Sequence, residues 1–301
     1  MLSRRNIRVK ILQALYASTI DSKTASKTIE FYKSNIDQSA DLLLFFITIM
    51  QKICYFTLED RDIRLNKNLP SEQDLNFKPN LYTNLISQKF LKDLDLERQV
   101  GKRKIKEKVD ADSIKKLYMN FSKTQSYLTY ISIETPIESE NVAILLSLMK
   151  FLYKEASFTE TLEDLFSAWE EDESLVIGNM KKILKQLPGE NGVLQGFAPD
   201  SDMVIDFGEK LLNACLLNHE AAMEQLKPVL ENWDIERISA VDLILIKMAT
   251  IEFMIFSEIP PSVILNEYVE ISKTYSTAKS KDFVNGVLDK IFKNNPRLNV
   301  G

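Results

Sequence analysis

Chain-breaking residues are scarce and clustered. Of 301 residues only 8 are glycine and 9 proline. Three of those glycines (Gly189, Gly192, Gly196) and two of the prolines (Pro188, Pro199) fall within 188–199. A β fold needs such residues at each tight reversal, so the rest of this chain is left to long helices. With 45% hydrophobic residues a sizeable core can be buried, and 27% charged residues suit solvated helix faces. The fold class predicted is all-α, with its clearest boundary at 188–199.

The apolar spacing predicts roughly ten or eleven helices and no sheet. Ile7, Ile11, Ala14 and Leu15 mark a first helix over Ile7–Ala17. Residues 26–65 read as one long helix or two, centred on the apolar run 42–50, and 66–80 as a loop with Pro70 and Pro79. A helix is expected over Leu81–Leu94, followed by a basic stretch from Arg98 to Lys108, and then a helix capped by Ser113 that runs to about Tyr130. The alternation of Tyr127, Thr129, Ile131 and Ile133 would also suit a short strand; helix is the expectation. Helices follow over Ile137–Tyr153 and Leu175–Leu187. Beyond the boundary, stripes are led by Phe207/Leu211/Ala214, by Ala222/Leu226/Leu230/Trp233 and by Val241/Ile244/Met248/Ile251/Ile255. The next helix holds Pro260 and Pro261 in its first turn and carries Ile264, Tyr268, Ile271 and Tyr275. The last, with Ser280 as N-cap, buries Phe283/Val284, Val287/Leu288 and Ile291/Phe292.

Several function classes are excluded. The two cysteines, Cys54 and Cys215, lie in separate apolar runs and read as buried thiols of a reducing compartment. The single histidine, His219, has no ligand at metal-binding spacing. No nucleotide-binding glycine loop, nucleophile elbow or zinc-protease motif is present. Carboxylate pairs are plentiful, at Glu163/Asp164 and Glu170 to Glu173, but they sit on polar faces where nothing raises a carboxylate pKa. The expectation is a non-enzyme without cofactor or metal. The N-terminus lacks the pattern of a signal peptide, and the run Leu42–Met50 is too short to cross a bilayer, so a cytoplasmic protein without membrane contact is expected.

Net charge is −5, so any polyanion must meet a local basic patch. Arg4, Arg5, Arg8 and Lys10 form such a patch, with no acidic residue before Asp21. Positive charge at a helix N-terminus opposes the macrodipole, which points away from a purely structural role. Arg4 and Arg8 are spaced to share a helix face, with Tyr16 two turns further on. Arginine forks suit phosphate oxygens and an exposed tyrosine can stack on an unpaired base, a combination useful on single-stranded RNA.

Four segments then resemble one family. Arg4-Arg5-Asn6-Ile7-Arg8-Val9-Lys10-Ile11-Leu12-Gln13-Ala14-Leu15-Tyr16 is similar to the arginine-rich first helix of the NusB family. Trp233-Asp234-Ile235-Glu236-Arg237-Ile238 with Val241-Asp242, and then Glu252, resembles the approach to that family's central C-terminal helix. Val263 to Lys273 resembles its V-A-I-N-E-A-V-E-L-A-K helix, and Asp282 to Lys290 its K-F-V-N-G-V-L-D-K signature. The resemblance covers about the first 17 residues and 206–294. It implies a NusB-like helical bundle with a large additional helical insertion: 1–20 as the arginine-rich helix of the core, 21–199 as an insertion of unknown role, and 200–301 as the C-terminal core.

The resemblance further implies a transcription antitermination factor that pairs with NusE, a small ribosomal-subunit protein. It would bind boxA-like single-stranded leader RNA and work within an RNA polymerase antitermination complex on ribosomal RNA operons. The candidate RNA contacts are Arg4, Arg5, Arg8, Lys10 and Tyr16 from the first helix, and Tyr275, Lys279 and Phe283 from the C-terminal end. The family often has an acidic residue where this chain has Lys279 and a basic one at Asp282. Structural alternatives stand beside these roles. Phe283 also suits the core, Gly286 a close helix packing, and Asn266 and Glu267 a tie to a neighbouring helix. Two other functions compete. One is a protein-binding scaffold in ribosome assembly, docking partners on the basic run 98–108 or the acidic run 155–173. The other is a relative of the RNA-binding domain of RNA cytosine methyltransferases, disfavoured because Gly301 comes just after the NusB-like block.

Overall fold

The computed structural model describes residues 2–21, 23–187, 189, 192–195, 202–230, 237–277 and 279–293. The fold is all-α, with no strand among the described residues. The chain divides into two compact units, one made of 1–36 with 199–301 and the other of 37–198. The first division thus falls after Ile36, not after residue 20. The physical reason lies in the opening turns of the second helix, where Thr28 and Tyr32 are fully buried and the Tyr32 hydroxyl donates to the Val204 carbonyl at 3.0 Å. Most of 188–199, and Trp233 to Glu236, lie outside the described residues.

Helix α1 spans Arg4–Asp21 and α2 spans Ala25–Leu65. The latter is one helix, and its apolar run 42–50 is buried. By length and composition α2 could cross a membrane, but 67% of its most apolar window is buried inside the protein, as in a core helix.

The unit 37–198 continues from α2 through α3 (Glu72–Leu75), α4 (Asn80–Thr83), α5 (Leu85–Lys92), α6 (Leu94–Lys102), a 3-10 turn (Ile105–Lys108), α7 (Ala111–Phe121), α8 (Gln125–Ile131), α9 (Glu138–Leu152), α10 (Ala156–Leu165) and α11 (Trp169–Gln186). Helix α9 packs against α5, α7, α8 and α11. The expected helix Leu81–Leu94 is three short ones. Asn84 and Asp93 turn their side chains onto the backbone N–H groups of Ile86 and Leu96 and so begin new helices inside it. Likewise Asp110 rather than Ser113 caps α7, its carboxylate accepting from the Ser113 N–H at 2.7 Å, and the chain restarts at Thr124 to form α8 as a helix, not a strand. Rings join these elements: Phe46 of α2 meets Phe158 of α10 edge-on at 5.2 Å, and Phe56 meets Tyr118 of α7 at 5.1 Å. Part of the basic stretch pairs within the unit. Arg103 pairs with Asp37 at 3.0 Å and Asp41 at 2.7 Å, Lys106 with Glu97, and Arg98 with Asp95.

The other unit adds to α1 and the start of α2 a π-helix (Asp202–Glu209), α12 (Lys210–Leu217), α13 (His219–Leu226), α14 (Ala240–Ile255), α15 (Pro261–Tyr275) and α16 (Ser280–Lys293). Helix α14 is its axis, touching α1, α12, α13, α15 and α16. It is apolar on nearly every side, with Leu245, Ile246, Met248 and Ala249 fully buried, as a central helix must be. Pro261 opens α15 as expected. Ser280 begins α16, but its hydroxyl is given to Asp242 of α14 at 2.7 Å instead of capping its own helix. On α16 Val284, Val287, Leu288, Ile291 and Phe292 are buried. Gly286 does not mediate close packing: it is exposed, and a Cβ there would meet nothing within 4 Å among the described residues.

Candidate RNA-binding surface

Helix α1 splits its basic cluster between inside and outside. Arg4 and Arg5 are exposed, while Arg8 and Lys10 are each only 1% exposed. The expectation that all four face RNA is corrected for Arg8 and Lys10. The reason is register: α1 packs on α14 and α15, and the face that buries Ile7, Ile11 and Ala14 carries Arg8 and Lys10 with it.

Arg8 is buried because a carboxylate waits for it. Its Nε donates to Glu252 Oε2 at 2.8 Å and its Nη2 to Glu252 Oε1. Glu252, on α14, is wholly buried. The Tyr268 hydroxyl of α15 donates to the same Oε2 at 2.8 Å. Burial works against the Arg8 charge, but the hydrogen bond to Glu252 and the carboxylates of Glu252 and Glu267 outweigh it, so its pKa is raised. Burial also pushes the Tyr268 phenol well above its ordinary range, with the Glu252 charge adding, so it stays a donor. A buried bidentate pair with a third hydrogen bond from Tyr268 is the arrangement that a low-dielectric interior tolerates. It joins residues 244 positions apart.

Arg5 leans the other way. Its Nε and Nη2 each donate to the Glu267 carboxylate at 2.8 Å, while half of its side chain (49%) stays exposed. The bond to Arg5 holds Glu267 below the usual glutamate range, with the charges of Arg5 and Arg8 adding. Glu267 is therefore the inter-helix tie that its place in the family-like helix allowed for. One turn on, the bond from Lys273 lowers the pKa of Glu270, and the charges of Arg5 and Lys281 help. The charges that act on Glu270 thus come from the start of α1, from α15 itself and from the start of α16.

The remaining candidates lie on or beside these helices. Tyr275 closes α15 two turns beyond Glu267, roughly 12 Å along the axis, and is half-buried, as is Phe283 in the first turn of α16. Lys279 is exposed just before α16. Tyr16 is 40% exposed. By helical spacing it follows Arg5 by three turns, and so extends the line of Arg5, not that of Arg4 and Arg8. The structure thus brings Arg4, Arg5, Glu267 and the helix bearing Tyr275 together and withdraws Arg8 and Lys10.

Phe207, read from the sequence only as a stripe residue, also belongs to this site. Its ring lies 5.6 Å from the Arg4 guanidinium carbon and 5.1 Å from that of Arg8. Nothing in its spacing marked it.

Cys54 and Cys215 are free and buried, and burial pushes the Cys54 thiol up to about 12, so neither is a nucleophile at neutral pH.

Known proteins match part of this chain. The NusB family model matches residues 168–293; the first helix, Arg4–Asp21, lies outside the match. The transcription antitermination protein NusB of Salinibacter ruber is 46% identical over 86 residues, 29% of this chain and 54% of the relative, so the match spans just over half of that protein. The protein of the same name from Clostridium kluyveri is 32% identical over 145 residues, 48% of this chain and 90% of the relative. That from Listeria monocytogenes is 41% identical over 86 residues, 29% of this chain and 67% of the relative. No solved structure matches the chain. With nine-tenths of one relative covered at this identity, and with the all-α core built around the matched helices, the chain belongs to the NusB family.

Proposed function

We propose that this chain is a cytoplasmic, non-catalytic RNA-binding factor in transcription antitermination. With NusE it binds boxA-like single-stranded leader RNA and supports ribosomal RNA transcription by an RNA polymerase antitermination complex. One observation carries the reading: α1 is pinned through buried Arg8 and Glu252, which leaves Arg4 and Arg5 exposed at its start beside the helix that ends in Tyr275. The name shared by the relatives, transcription antitermination protein NusB, supports it.

In this reading Arg4, Arg5 and Lys279 meet phosphate, and Tyr16, Tyr275 and Phe283 offer ring faces to unstacked bases. Arg8 and Lys10 act from inside by fixing the helix. Each phosphate contact on a single strand contributes a slope of roughly −0.7 in log K against log salt. Replacing Arg4 and Arg5 by alanine should weaken binding of a labelled boxA RNA and flatten the slope by about 1.4, with the fold unchanged by circular dichroism. Unaltered affinity and slope would remove both arginines from the interface. In the scaffold alternative a partner of the basic run 98–108 would compete with the ion pairs of Arg103 and Lys106.

A further inference from the structure

We propose that Phe207 is a positioning residue for RNA, holding the Arg4 guanidinium ready on its ring face. The inference rests on the RNA-binding reading above and adds a residue to it.

Four observations lead to it. First, the segment that carries Phe207 is a π-helix, Asp202–Glu209, a wide coil that is rare and recurs at functional sites. Second, this coil is held hard against α1 and the start of α2. The Tyr32 hydroxyl donates to the Val204 carbonyl at 3.0 Å, and Lys33 pairs with Glu209 at 3.2 Å. At Gly208 a Cβ would lie 1.8 Å from the Tyr32 hydroxyl oxygen and 2.9 Å from Cγ2 of Ile7, so only glycine permits the approach. Third, Phe207 is 5% exposed and is backed by the Phe256 ring at 5.1 Å, so its own position is fixed. Fourth, Arg4 and Arg8 both stand over that ring, yet their fates differ. Arg8 is consumed by Glu252, whereas Arg4 is exposed and has no ion-pair partner among the described residues.

The chemistry follows from the shape of a guanidinium. Its face stacks on an aromatic ring while its N–H donors point outward in the plane. Arg4 resting on Phe207 therefore keeps its edge free for the oxygens of a phosphodiester. Its long side chain is ordered before RNA arrives, so less conformational freedom is lost on binding. Arg5 lacks this advantage, because it must first release Glu267. The ligand class is the phosphodiester backbone of a single strand, and the specificity gained is of register.

The test is a double-mutant cycle on the full chain, read by fluorescence anisotropy with a labelled single-stranded boxA RNA. Phe207→Leu keeps an apolar side chain and removes the ring face; it should weaken binding about threefold, a surface cation–π contact converted to affinity. Phe207→Tyr should restore it. In an Arg4→Ala background Phe207→Leu should cost nothing further. An equal loss in both backgrounds overturns the proposal, since it would mark a general packing defect. A second arm needs no RNA: nuclear relaxation of the Arg4 Nε–Hε pair in the free protein should report restricted motion that Phe207→Leu releases. Equal mobility in both proteins also overturns the proposal. Failure of the unaltered chain to bind the RNA overturns the reading beneath it, and is distinct from binding with an additive cycle.

Discussion

At the centre of the unit built from 1–36 and 199–301 lies a charge pair, Arg8 with Glu252, contributed by segments 244 residues apart. The unit 37–198 buries the carboxylates of Asp60 and Asp172, and a neutral net of amides and a phenol. The Tyr130 hydroxyl donates to Asn141 Oδ1 at 2.7 Å, and the Asn84 amide donates to Tyr130 at 3.1 Å and to the Asn141 carbonyl at 3.0 Å. The ion pairs there are partly open to solvent: Arg64 with Asp60 joins successive turns of one helix, and Arg103 with Asp41 joins the end of α6 to α2. A long-range buried ion pair adds little net stability over an apolar replacement, but it admits one register and penalises every other. In the first unit that register decides which arginines of α1 reach the surface. The neutral net in the second fixes local packing and presents no charge.

The largest test of this contrast is Glu252→Ala. It leaves the buried Arg8 charge with Glu267, at 3.6 Å, as its remaining carboxylate partner, and should cost roughly 3 kcal/mol in urea denaturation, the low end for a broken buried pair. Arg8→Met combined with Glu252→Leu should recover most of that loss, because both charges are then gone. A single-variant cost below about 1 kcal/mol would mean that water or another group serves Arg8, and the lock would not exist.

Gly208→Ala comes next. Its new Cβ meets the Tyr32 hydroxyl and Ile7, and overpacking of this kind costs about 1–3 kcal/mol. Tyr32→Phe removes the nearest clashing atom, so the double variant should lose less than the two singles summed. In the second unit the corresponding loss comes from Tyr130→Phe, which takes the donor from Asn141 Oδ1 and one of two acceptors from the Asn84 amide, and should cost about 1–2 kcal/mol. Were Tyr130→Phe to cost as much as Glu252→Ala, the two interiors would not differ in kind. The sign reverses at Gly178, within α11, where a Cβ meets nothing within 4 Å. Gly178→Ala should stabilise by about 0.5–1 kcal/mol through helix propensity.

How much of this was legible in the sequence differs in the same way. Apolar spacing placed α1, α2, α9, α14, α15 and α16, because each buries one stripe or, in α14, nearly the whole surface. It missed the breaks before α5 and α6, since Asn84 and Asp93 look like ordinary polar positions in a helical window until their side chains are seen turned onto backbone N–H groups. It missed the π-helix, which packs by the close approach of Gly208 to Tyr32, a contact between residues far apart in sequence. The burial of Arg8 was hidden for a related reason. A charged residue reads as exposed unless its partner is found. A clue existed: Glu252 is a carboxylate among Thr250, Ile251, Phe253 and Met254 in an apolar helix, and a buried carboxylate needs a donor. The family-like segments named the right helices, but α1 carries charges for two purposes, and sequence alone could not divide them.

The smallest effect concerns pH and the exposed tie between Arg5 and Glu267. The folded pKa of Glu267 is lowered from its ordinary 4.5, chiefly by the bond from Arg5. A carboxylate depressed in the folded state contributes stability that is complete above its unfolded value and is lost as pH falls through the folded one. Glu267→Gln should therefore destabilise the chain at pH 7 by less than about 1 kcal/mol, as for half-exposed pairs, and less again in high salt. The difference should shrink as pH drops below 4.5. Asp74 in the second unit is also lowered, by Lys67 and by the backbone and hydroxyl of Ser71, but its partners lie within ten residues. Protonating Asp74 loosens one local cap, whereas protonating Glu267 frees the start of α1 from α15. Acid should thus raise the mobility of Arg5 in amide and side-chain relaxation before it alters α9. If Arg5 stays ordered through the Glu267 titration, the tie is incidental, and the buried pair alone sets the helix that presents the arginines.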